Sequence, residues 1–103
     1  MKALRDFEGR AIRLTDERLN HILEHPEMKG MTPAIVETLA NPELVVKSVI
    51  DTEVFLYYRF YDSTHVGSKY LCVIVKMRTH DPFVITAYLT DSVKKGEIRW
   101  QKK

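Results

Sequence analysis

Two histidines four residues apart, His21 and His25 in HILEH, are the side chains best suited to moving protons in this chain. Imidazole titrates near neutral pH and both donates and accepts, and i,i+4 spacing puts the pair on one side of a helix. The same spacing can hold zinc. However, the order HILEH is not HExxH, and a third ligand would have to come from His65, His80 or a carboxylate. Acid–base work therefore outranks a metal centre, and no metal is expected. The plain alternative is two ordinary surface histidines.

Two later segments offer groups that could hold a phosphate. In KYLCVIVKMR, alternation places Tyr70, Cys72, Ile74, Lys76 and Arg78 on one face and Leu71, Val73, Val75 and Met77 on the other. In FVITAYLT, Val84, Thr86, Tyr88 and Thr90 alternate with Phe83, Ile85, Ala87 and Leu89. If the polar faces coincide, Lys76, Arg78, Thr86, Tyr88 and Thr90 form one patch of cations and hydroxyl donors suited to phosphoryl oxygens. Tyr57, Tyr58, Arg59 and Tyr61 add aromatics and a cation that could stack unpaired bases, although half must face a core. The competing reading is that Thr and Tyr are simply good strand residues, with Lys76 and Arg78 guarding the face against aggregation.

The elements that must position these groups follow from periodicity and punctuation. RAIRL at 10–14 alternates as a short strand. Thr15 is placed to cap a helix from Asp16 to about His25, with Leu19, Ile22 and Leu23 as its apolar stripe and Pro26 as its limit. A second helix has Thr32 as cap, Pro33 at its first position, Ile35, Val36 and Leu39 inside, and Asn41-Pro42 as its stop. From Leu44 the pattern turns strand-like in LVVKSVI, VFLYYRFY, KYLCVIVKMR and FVITAYLT, rich in β-branched and aromatic residues. The connections are too short for helical crossovers, which predicts an antiparallel meander. Asp91 could cap a helical turn through Val93 that Gly96 ends, leaving EIRWQKK as a tail or edge strand. The predicted class is α+β: two short N-terminal helices on one face of a four-stranded antiparallel sheet, with room for extra short edge strands at either end. The second face is left for function.

The chain's 103 residues, 45% hydrophobic and 29% charged, make one domain (1–103) with a modest core. The net charge of +2 is too small to demand a polyanionic partner. Its distribution is uneven, because the basic tail 94–103 (KKGEIRWQKK) carries +4 and leaves the other 93 residues at −2. Cys72 stands alone, so neither an intrachain disulfide nor a cysteine zinc site is expected. Charges at Lys2, Arg5, Asp6 and Glu8 leave no room for a signal-peptide core, and no run reaches the ~18 apolar residues of a membrane helix. A cytoplasmic protein without a membrane span is the expectation.

RLTDERLNHILEHPEM, KYLCVIVK and FVITAYLTDSVKKGEIRW, in this order, resemble the phage-associated branch of the barnase, EndoU, colicin and RelE-like (BECR) nuclease fold. The resemblance spans about residues 12–100. It implies a small metal-independent endoribonuclease, a toxin or phage-linked effector, with RNA as substrate, no cofactor and a small antitoxin protein as partner. Carried over by position, it implies His21 and His25 as the active-site histidines, Lys76 as the strand cation, and Thr86 with Tyr88 as the late-strand hydroxyls. Arg78 and Thr90 are weaker carry-overs, and Arg59 joins them as a substrate-binding candidate. The implied reaction is attack of the 2′-hydroxyl on the adjacent phosphate, with one histidine as base, the other histidine or Tyr88 as acid, and Lys76 and Thr86 holding the phosphoryl oxygens. The alternative is a catalytically inactive protein- or RNA-binding module using the same sheet face. Catalysis requires the helix histidines to point into the Thr86–Tyr88 patch.

Overall fold

Residues 2–103, apart from the side chain of Lys2, are described by a computed structural model. In chain order it contains β1 (Lys2–Arg5), β2 (Ala11–Leu14), α1 (Asp16–Leu23), a 3-10 turn (Pro26–Met28), α2 (Thr32–Ala40), β3 (Leu44–Lys47), β4 (Val54–Thr64), β5 (Gly67–Lys76), β6 (Phe83–Thr90) and β7 (Glu97–Gln101). The strands form one sheet in the order β1-β2-β6-β5-β4-β3-β7. This corrects the expected four-stranded antiparallel sheet carrying two helices: the molecule is mostly sheet, a seven-stranded mixed half-barrel. The β3-to-β6 meander is its centre. The β1–β2 hairpin extends it through a parallel pairing of Arg13 with Phe83, and β7 adds to the far edge against β3. These outer strands have four or five residues each, too few alternations for a strong periodic signal.

Local chemistry explains the helix ends. Thr15 caps α1, its hydroxyl accepting from Arg18 N at 3.1 Å. The helix stops at Leu23, two residues short of the predicted end, because Pro26 holds His25 in extended backbone (φ −76°, ψ 122°). In α2, Met31 occupies the cap position and Thr32 is the first helical residue, with no side-chain cap. Arg59 secures the other end of α2, donating to Asn41 O at 2.8 Å.

The larger core lies on the face we call the first. It joins Ile22, Met28, Ile35 and Leu39 from the helical segment to Ile12, Leu14, Tyr57, Leu71, Val73, Val75, Val84 and Ala87 from the sheet. The β1–β2 turn folds onto this face through Asp6. Its side chain, fully shielded from solvent, accepts from Tyr57 Oη and Arg10 Nε (both 2.8 Å) and from the backbone N of Glu8 and Arg10. A buried carboxylate satisfied this completely fixes the turn and brings Phe7 to within 4.8 Å of the Trp100 ring on β7.

The opposite, second face is not the free surface expected from the sequence. Val46, Leu56, Tyr58 and Cys72 form a second, smaller core there, with Leu44, Tyr70, Ile74, Tyr88 and Val93 packed around it. The predicted helical turn after Thr90 is instead a non-helical strap, residues 91–96. It leads from β6 to β7 across four inter-strand spacings of about 4.8 Å, which leaves six residues little slack to coil. Lys94 N donates to Tyr58 Oη at 3.0 Å and pins it down.

Candidate functional site

Register decides which predicted site residues meet. Across β5 and β6, Tyr70 pairs with Thr90, Cys72 with Tyr88 and Ile74 with Thr86, while Lys76 pairs with Phe83. Lys76, Thr86, Tyr88 and Thr90 therefore share the second face. The register also shifts between Ile74 and Val75, which makes Ile85 an extra residue in β6. Even spacing would have put Val84 beside Thr86, but the bulge turns Val84 into the larger core.

The cations at the β5–β6 turn end of this face are already engaged. Lys76 Nζ bonds Asp51 at 2.7 Å and lies 3.4 Å from Glu53. The Asp51 hydrogen bond raises the Lys76 pKa and, from the other side, holds the Asp51 carboxyl below its ordinary value. Arg13 grips Asp81 with two nitrogens at 2.8 and 2.9 Å, and Arg78 lies over the Phe83 ring. Arg59 belongs to the first face, committed to Asn41 O and Glu37.

The Thr90 hydroxyl is similarly engaged. Thr90 Oγ1 donates to Ser92 O and accepts from Ser92 N, shaping the start of the strap. Tyr88 is half-buried beside Cys72, and burial pushes its pKa up to about 12, so its phenol stays protonated at neutral pH. Cys72 itself is buried, its thiol pushed up to about 11 by desolvation, which suppresses the thiolate needed for nucleophilic chemistry.

The helix histidines do not join this patch. His21 and His25 are both exposed, and α1 packs by Ile22 into the first-face core, with the sheet between it and Tyr88. His21 Nδ1 is 3.8 Å from Glu24 Oε1. His65 bonds Lys29 O, and His80 sits exposed in the β5–β6 connection. Among the described residues no group of three or more His, Cys, Asp or Glu is placed to hold a metal ion.

A different part of the second face stands open. At the β4–β5 hairpin end, Phe60 and Tyr70 pair across the ladder with ring centroids 5.2 Å apart and edge to face. Phe60 is 43% exposed, so its ring is accessible on this face. Next to them is a cleft of about 440 Å³, lined by Leu44, Tyr70 and Val93 together with the polar Glu43, Gln101, Lys102 and Lys103. Glu43 is occupied in accepting from Phe60 N. Lys69 is held by Asp91, but Lys94, Lys95, Lys102 and Lys103 have no ion pair among the described residues. Tyr57, Tyr58 and Tyr61 do not contribute: the first two are fully buried and Tyr61 bonds Glu37 on α2.

Phe60 was missed as a site residue because it reads in sequence as one more apolar strand position. Its alternation with Tyr58 was the available signal, since the two must share a face. Among the described residues no helix is long and apolar enough to cross a membrane. No protein-family model, curated protein or solved structure matches the chain.

Proposed function

We propose that this chain is a single-stranded RNA-binding module acting through the second face of its sheet, around Phe60, Tyr70 and the adjacent cleft, and that it holds RNA without cutting it. The observation that carries the reading is the meeting of the exposed Phe60 ring and its half-buried partner Tyr70 with a cleft lined by Lys102 and Lys103, which have no ion pair among the described residues. Rings of this kind stack on unpaired bases and free cations take the phosphates, whereas an acidic protein partner would have no special use for the rings. The position of His21 and His25 across the sheet from Thr86 and Tyr88, together with the engagement of Lys76 by two carboxylates, favours holding over cleavage.

Fluorescence anisotropy with a labelled single-stranded RNA of roughly ten nucleotides, titrated at several salt concentrations, tests this. Affinity should fall with salt at a slope of about −0.7 per phosphate contact. Lys102→Ser with Lys103→Ser should flatten that slope by about 1.4. Phe60→Ala should weaken binding roughly 5- to 150-fold, since one stacked base contributes about 1–3 kcal/mol. Absence of salt-dependent binding would sink the reading. Fragments ending in cyclic phosphate, produced in excess EDTA, would replace it with ribonuclease action.

A further inference from the structure

The edge strand β7 separates two clefts. The one described above opens on the second face. The other, also about 440 Å³, opens on the first face and contains Phe7, Trp100, Asn41, Pro42 and Lys102. Lys102 lines both, so they meet where β7 ends. The register explains why Trp100 serves the first face: Val45 pairs with Trp100 and Val46 with Ile98, leaving Arg99 as an extra residue. Without that bulge Trp100 and Ile98 would point the same way. Phe7 holds the indole in a tilted stack at 4.8 Å and 42°, and the buried Asp6 network holds Phe7.

Building on the RNA-binding face proposed above, we infer that the bound strand turns around the open edge of the sheet at β7 and seats a further unpaired base against Trp100 and Phe7, its linking phosphate resting on Lys102. Three features argue for this occupant. Both rings are partly exposed and already fixed, so stacking a base on them costs little ordering. Among the described residues no strand lies beyond β7 to bar the path. The cleft also abuts the carbonyl end of α2, where Asn41 is the C-cap. The Asn41 side chain offers one donor group and one acceptor to the edge of a base.

Trp100 is the only tryptophan in the chain, so its emission reports on this cleft directly. The experiment titrates the full chain with uniform single-stranded RNA of increasing length, following tryptophan emission and, separately, the anisotropy of labelled RNA. Di- and trinucleotides should bind with unchanged emission, while strands long enough to round the edge should quench it. Trp100→Phe and Phe7→Leu should bind the long strand less tightly, Phe7→Leu by about fivefold for one weakened stack, and bind the short ones as wild type does. If saturating long RNA raises anisotropy but leaves emission unchanged, the second cleft is empty and the inference is overturned while RNA binding stands. If no RNA of any length raises anisotropy, the binding face itself has failed. Should Phe7→Leu not fold, the length dependence of wild-type emission alone decides.

Discussion

Lys76 Nζ lies 2.7 Å from Asp51 Oδ2, so the cation that β5 carries onto the second face is held by the β3–β4 turn. The contact leaves Lys76 with a raised pKa and Asp51 with a lowered one. The lowered carboxyl contributes stability that is present above its unfolded pKa of about 3.9 and lost as pH falls through the folded value. The raised ammonium contributes stability present below about 10.4 and lost as pH rises through its folded value. Urea unfolding of wild type and Asp51→Asn should therefore show a gap in stability that is constant between those limits and closes on both sides. A gap that widens below about pH 3.9 would contradict the pairing.

The exposed helix histidines should be indifferent to RNA. His21→Ala and His25→Ala are each expected to keep the wild-type affinity within about twofold and to change stability by no more than about 0.5 kcal/mol. Anisotropy and urea unfolding are the readouts. A tenfold loss in either variant would bring the helix side of the sheet into the RNA path.

Cys72, buried between Tyr58 and Tyr88 with its thiol pushed up to about 11, should resist a thiol reagent at pH 8 in the native state. Labelling should accelerate with sub-denaturing urea, because reaction has to wait for the sheet to open. Immediate stoichiometric labelling without denaturant would show that the strap leaves the thiol accessible.

Gly96 ends the strap where there is no room for a side chain. A Cβ there would lie 2.5 Å from Lys47 O and 2.5 Å from Val46 Cγ1. Gly96→Ala should therefore push β7 away from β3 and cost about 1–3 kcal/mol, read as a lower urea midpoint. It should also weaken RNA binding, since β7 leads into Lys102 and Lys103. An unchanged midpoint would mean the strap can move aside.

The long central strands were legible because eight to eleven residues carry enough alternation to identify a strand, and short polar connections then dictate antiparallel pairing. The Thr15 cap and the prolines flanking the helical segment were equally local, since each acts on the backbone within a few residues. The shared face of Lys76, Thr86, Tyr88 and Thr90 was legible only as a condition, because cross-strand register is absent from either strand alone.

Everything that depends on where two distant segments meet was decided by the tertiary structure. A single extra residue inverts the parity of all that follows it, so the bulges at Ile85 and Arg99 sent Val84 and Trp100 to faces that simple alternation could not assign. The side of the sheet on which α1 lies separated His21 and His25 from the hydroxyls, and the strap's path turned an apparently free face into a second core with one open end. The sequence by itself determined which segments extend, which coil and where the charge lies, since these are properties of neighbouring residues. Only the folded chain determined which rings and lysines share a surface, because that is set by packing between elements far apart in the chain.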